Sequence, residues 1–152
     1  MRMKGLDHVS VTCADLEASI RFYRDLLHLP FRAQGEGDQA WLAQMTGLAG
    51  ARIRWAELDL GAGRILELVE FLEPRGKPVD GDLNAPGRGH IGLEVEGIED
   101  LLASLAAAGV QVRSEPVRLT EPGEWFGVRS MYAEDPDGTL IELVDRSDRT
   151  GG

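Results

Sequence analysis

Polar and apolar residues alternate along Gly5-Leu6-Asp7-His8-Val9-Ser10-Val11, the period of a strand with one wet face. The period then lengthens. Leu16, Ile20, Tyr23 and Leu27 recur at helical spacing behind Asp15, which is suited to an N-cap, and Pro30 ends the run. The polar, glycine-rich residues Gln34–Gln39 read as a loop. Ala51–Leu60 and Arg64–Phe71 read as strands, and Gly61-Ala62-Gly63 between them is a hairpin signal.

The same order then returns. Gly89-His90-Ile91-Gly92-Leu93-Glu94-Val95 alternates like the first strand. Ile98, Leu101, Leu102 and Leu105 follow at i, i+3, i+4 and i+7, with Gly109 placed as a helix C-cap. Val110-Gln111-Val112 begins a short strand. Arg129–Ala133 and Thr139–Val144 are strands joined by Glu134-Asp135-Pro136-Asp137-Gly138, a strong turn. The chain is thus an internal repeat of strand, helix, and two or three antiparallel strands, an α+β pattern. The expected organisation is a single 1–152 domain with a first module at about 5–71 and a second at about 89–145. Residues 72–88, rich in Pro and Gly, are the linker, and 146–152 a polar, frayed tail.

Composition narrows the partners. A formal charge of -10 argues against a general nucleic-acid or anionic-membrane surface, because both need excess Lys and Arg. An anionic small molecule stays possible, since a bound dication reverses the potential of a pocket. The single Cys13 suits a reducing compartment. No apolar run approaches the roughly 20 residues of a membrane span. The start Met1-Arg2-Met3-Lys4-Gly5 is too short a prelude to Asp7 for a signal peptide, so the expected location is cytoplasmic.

The repeat places like residues at like points. His8 and His90 lie on the first strand of each copy; Glu67 and Glu142 lie on the last. Both glutamates interrupt aliphatic runs, where an ionised carboxylate is costly unless it is paired or binds a metal. Strand parity sets Leu140, Glu142 and Val144 on one face and Ile141 and Leu143 on the other. With helices on the second face, Glu142 points to the concave side, as do Glu67 with Ile65 and Val69, and His8 with Ser10. Taken singly, a strand histidine is more often a hydrogen-bonded structural residue, and a strand glutamate can simply face solvent. Four such residues at equivalent points of a repeat favour a shared role as ligands. Two imidazoles and two carboxylates suit one divalent ion, Zn, Ni, Co, Mn or Fe.

With these residues in place, the sequence resembles the vicinal-oxygen-chelate superfamily, which includes glyoxalase I, methylmalonyl-CoA epimerase, extradiol dioxygenases and the bleomycin- and fosfomycin-resistance proteins. The resemblance runs from about Leu6 to Asp145. It is carried by Leu6-Asp7-His8-Val9-Ser10-Val11, Asp15-Leu16-Glu17-Ala18-Ser19-Ile20-Arg21-Phe22-Tyr23, Leu66-Glu67-Leu68, Gly89-His90-Ile91 and Asp135-Pro136-Asp137-Gly138-Thr139-Leu140-Ile141-Glu142-Leu143. It implies two tandem βαβββ modules forming an open, U-shaped mixed sheet around a metal site, commonly in a homodimer. Within the family, Glu67 at the fourth ligand position matches glyoxalase I and the epimerases rather than the dioxygenases. The family's mechanism implies α-proton abstraction and an enediolate stabilised by the ion, with Glu142 as proton shuttle and Glu67 as candidate on the opposite face. The expected function is therefore a metal-dependent isomerase or epimerase like methylmalonyl-CoA epimerase, acting on a small molecule with chelating oxygens. The alternatives are a lactoylglutathione lyase like glyoxalase I and, in another class, a drug-binding resistance protein. One departure stands out: the Gln44–Gly50 loop has no acidic residue where the epimerases place a second proton-transfer glutamate.

Lesser candidates remain. Glu94 shares the parity of His90, and Trp55 shares that of Glu57. Trp125, Phe126, Arg129 and Tyr132 could wall a pocket. His28, near a helix end, reads as a surface residue, and Cys13 has no catalytic role.

Overall fold

The computed structural model describes residues 2–79 and 82–148. It separates into two compact units, Met1–Val79 and Asp80–Gly152. In the first, β1 (His8–Cys13) leads into α1 (Leu16–Ile20), which continues as a π-helical segment over Arg21–Leu26. There follow β2 (Phe31–Gly37), α2 (Ala40–Thr46), β3 (Arg52–Gly61) and β4 (Arg64–Glu73). In the second, β5 (His90–Val95) leads into α3 (Ile98–Ala107), then β6 (Val117–Arg118), β7 (Arg129–Glu134) and β8 (Leu140–Asp145). Each module forms its own four-stranded mixed sheet, in the orders β1-β4-β3-β2 and β5-β8-β7-β6. This is an α+β fold of two tandem βαβββ-like modules.

α1 and α3 form where the sequence pattern put them. Asp15 caps α1, its carboxylate accepting from the amides of Glu17 and Ala18 at 3.0 and 3.1 Å. Leu16, Ile20 and Tyr23 are buried, as are Val11, Leu66 and Leu68 of the sheet, and α1 packs on β3 and β4. Ile98 and Leu105 of α3 are buried together with Met131, Ile141 and Leu143. Gly109 takes the left-handed conformation, φ 72°, that ends α3.

The glycine-rich stretch read as a loop is instead most of β2. Gln34 pairs with Ala56, Gly35 with Trp55 and Gly37 with Ile53 in an antiparallel ladder. An edge strand buries little, so its polar composition hides it from a hydrophobic pattern. Gly35 is required by packing. A Cβ there would stand 2.8 Å from Trp55 Cζ2, so the indole lies directly over the glycine backbone. The residues after it also differ from expectation: Gln44–Thr46 belong to α2, and the turn begins only at Gly47, φ 72°. Val110–Val112 forms no strand, only an isolated bridge from Val112 to Ala133.

The tail is anchored at its start. Arg118 Nη1 lies 3.1 Å from Asp148 Oδ2, and the Ser147 amide donates to Asp145. Residues 149–152 of that expected frayed tail lie outside the described residues. No helix is long and apolar enough to cross a membrane among the described residues.

Candidate metal centre

Register fixes each module's donors. β1 runs parallel to β4 with His8 opposite Ile65 and Ser10 opposite Glu67. β5 runs parallel to β8 with His90 opposite Leu140 and Gly92 opposite Glu142. In both modules the histidine therefore stands two positions before the residue that faces the glutamate, on the same side of the sheet. His8 Nε2 lies 4.0 Å from Glu67 Oε2, and His90 Nε2 lies 3.2 Å from Glu142 Oε2. Each module thus presents one imidazole and one carboxylate as a two-donor half-site. Among the described residues no group of three or more His, Cys, Asp or Glu is gathered for an ion, so each half is incomplete alone.

The half-sites fit a metal in their spacing. Two donors about 2.1 Å from one octahedral ion lie about 3 Å apart when adjacent and about 4.2 Å apart when opposite. Both observed separations fall within that span. The donor side chains remain reachable, from 24% exposed for Glu142 to 48% for His8.

Neighbouring groups aim the donors. His8 Nδ1 lies 2.8 Å from Asp7 Oδ1, which leaves Nε2 turned to Glu67. That contact with Asp7 is the main reason the His8 pKa stands above its ordinary value, with the charges of Glu67 and Glu57 adding to it and partial desolvation opposing it. In the second module Ser130 Oγ donates to Glu142 Oε1 at 2.9 Å, leaving Oε2 beside His90. Gly92 faces Glu142 across the parallel pair, where a Cβ would make only ordinary contact with Oε2, at 4.0 Å. Tyr132 stands opposite Glu142 in the ladder, its ring edge-on to His90 at 5.3 Å. Burial, with a lesser push from Glu142, raises the tyrosine pKa.

The structure places the lesser candidates as follows. Glu94 shares the His90 face and is exposed. Trp55 and Glu57 are half-buried on the Glu67 face. Trp125 and Phe126 are exposed, with Arg146 stacked 4.2 Å over the Trp125 ring. His28 is exposed at a helix end, as expected.

Arg129 does not belong to a pocket wall. It lies opposite Asp145 on the helix-covered face, and its guanidinium pairs with Asp145 at 2.9 Å and with Glu99 in the first turn of α3. The first module repeats this arrangement. Arg54, opposite Glu70, reaches Glu70 at 3.5 Å and Glu17 in the first turn of α1 at 2.7 Å. The buried acids also hold the helix starts, Glu70 accepting from the Leu16 amide at 3.4 Å and Asp145 from that of Ile98 at 3.1 Å. Sequence reasoning missed these two matching networks. The signal was available: Glu70 follows Glu67 at the interval by which Asp145 follows Glu142.

The chain is similar to several known proteins and solved structures. A glyoxalase domain-containing protein of Mycosarcoma maydis is 28% identical over 151 residues, covering 97% of this chain and 72% of that protein. A virulence protein of Salmonella typhimurium is 25% identical over 146 residues, 94% of this chain and 85% of its own length. Among solved structures, a glyoxalase family protein from Bacillus cereus matches with a TM-score of 0.83 at 24% identity, covering 95% of each chain. A glyoxylase/bleomycin resistance protein/dioxygenase domain from Frankia sp. matches with a TM-score of 0.69 at 25% identity, over 99% of this chain and 96% of that one. The sequence profile of one family spans residues 5–143. With its paired His–Glu modules, the chain belongs to the glyoxalase/bleomycin resistance protein/dioxygenase superfamily.

Proposed function

We propose that the protein is a divalent-metal-dependent isomerase or epimerase of methylmalonyl-CoA epimerase type, which moves an α-proton on a small substrate with two chelating oxygens. The observation that supports this most directly is the identical register of His8 with Glu67 and of His90 with Glu142. The four side chains would hold one ion, the half-sites being supplied by one chain or by two copies in a homodimer. Such an ion would supply positive charge to stabilise a developing enediolate.

The chain's own groups do the rest. Glu142 carries the proton, with Ser130 holding Oε1 and leaving Oε2 beside His90. Glu67 is the corresponding carboxylate for the opposite face. Asp7 orients His8, and Tyr132 does the same for His90 by packing.

A glyoxalase I-like lyase is the second reading, favoured by the lack of an acidic residue in Gln44–Gly50, where the epimerases place a second proton-transfer glutamate. One experiment separates them. Metal-loaded protein is incubated in deuterated water with methylmalonyl-CoA, or with methylglyoxal plus glutathione, and followed by NMR. Deuterium entering the α-carbon of methylmalonyl-CoA, abolished in Glu142→Gln, is the expected result. Conversion of the hemithioacetal alone selects the lyase, and turnover of neither rejects proton transfer on these substrates.

A further inference from the structure

The arginines around the second sheet are mostly held by acceptors of their own chain. Arg113 pairs with Glu134 at 2.6 Å, Arg118 with Asp148 at 3.1 Å and Arg129 with Asp145 at 2.9 Å. Arg88 donates to the Gly138 carbonyl at 2.7 Å. Arg146 differs. It is half-buried, yet among the described residues no carboxylate or carbonyl takes its guanidinium, in a chain with 26 acids against 16 lysines and arginines. Its guanidinium lies instead 4.2 Å from the centroid of the Trp125 ring, well inside the range of a cation–π contact. The loop braces that indole. The Phe126 amide donates to the Gly123 carbonyl, the Gly127 amide to that of Leu119, and the Val128 amide to that of Trp125. So held, Trp125 and Phe126 stand 46% and 52% exposed, two neighbouring aromatics whose apolar area a ligand would take from water.

Stacking fixes the plane of a guanidinium and leaves its N–H edge free, the fork that takes a carboxylate or phosphate through two bonds. We propose that Arg146, Trp125 and Phe126 form a binding site for a small organic oxyanion, its charged group on the Arg146 edge and its aromatic stem on Phe126. The net charge of -10 repels anions from the molecule as a whole, so a ligand stays only where it gains both contacts. Arg146 is four residues past Glu142, and its Cα lies within about 14 Å of that of the candidate ligand, the extended reach of four residues. The site belongs to the second module alone and needs no metal ion, so it stands or falls apart from the reaction proposed above.

The test is an NMR titration of the full chain in the presence of a metal chelator. It reads the Trp125 indole N–H resonance, which Trp125→Phe identifies. Phenyl phosphate and phenylacetate are the anionic probes, and phenylacetamide is the neutral one. Both anions are expected to shift that resonance and to bind about tenfold or more tightly than the amide. The tighter of the two names the group the site takes. Arg146→Gln is expected to abolish the preference for anions. Arg146→Lys, which keeps the charge but loses the fork, is expected to retain part of it, and it stands in if the Gln variant misfolds. Equal binding of amide and anions, no shift with either anion, or a preference that survives in Arg146→Gln overturns the inference. Inorganic phosphate is expected to bind more weakly than phenyl phosphate, and equal binding of the two overturns the role given to Phe126.

Discussion

Ser130, half-buried on β7, and Asp7, exposed just before β1, each hold one atom of a candidate ligand. The Ser130 hydroxyl occupies Glu142 Oε1, so the other oxygen has a single direction to point. Ser130→Ala is expected to weaken metal binding about tenfold without altering the circular dichroism, measured by competition with a chromophoric chelator. Gly35 makes a claim of a different sort. Gly35→Val forces a Cβ into Trp55 and is expected to destabilise the chain by about 1–3 kcal/mol in urea, with a red-shifted indole emission. The four candidate ligands were legible because the repeat sets like residues at like points. Asp7 and Ser130 were not, since an isolated polar strand residue has many uses. Arg129 was assigned to the wrong face, although its odd spacing from Tyr132 already separated the two.

The helix–strand contacts carry the stability argument at the level of elements. Asp145 is fully buried, accepts from Ser147 and from the Ile98 amide, and pairs with Arg129. These bonds and the arginine outweigh the desolvation of its carboxylate and lower its pKa to about 2 from the ordinary 3.8. A depressed carboxylate stabilises the fold above its unfolded pKa, and that contribution is lost as pH falls through the folded value. Thermal melts of the wild type are thus expected to lose a component of Tm between about pH 4 and pH 2. Asp145→Asn is expected to lower Tm at pH 7 by about 5 °C or more and to flatten that acid limb. An unchanged Tm would show that the network does not hold α3 to the sheet. α1, α3 and the central strands were readable from periodicity, because burial of one face dictates it, whereas α2 buries only Leu42 and left no such pattern. β2 was not, because an edge strand rich in Gly and Gln buries too little to leave a pattern. The paired arginine networks escaped for a related reason: charged residues that neutralise each other across a sheet look, in sequence, like ordinary surface residues.

The whole molecule repeats a half-site. Two modules built on one plan each bring a histidine and a glutamate to the same relative position, and among the described residues neither gathers a third donor. The fold class and family follow from that plan. The substrate does not, because the two modules differ around the shared donors, as at Glu57 against Tyr132 and Ser10 against Gly92. The central claim is that two half-sites serve one ion. Equilibrium dialysis against Zn²⁺ tests it most directly, with metal and protein quantified together for the wild type and for His8→Ala, Glu67→Gln, His90→Ala and Glu142→Gln. The account predicts one ion per chain, with affinity reduced about tenfold or more by each substitution, whichever module it falls in. Two ions per chain, or binding that survives the loss of either module's donors, would contradict it.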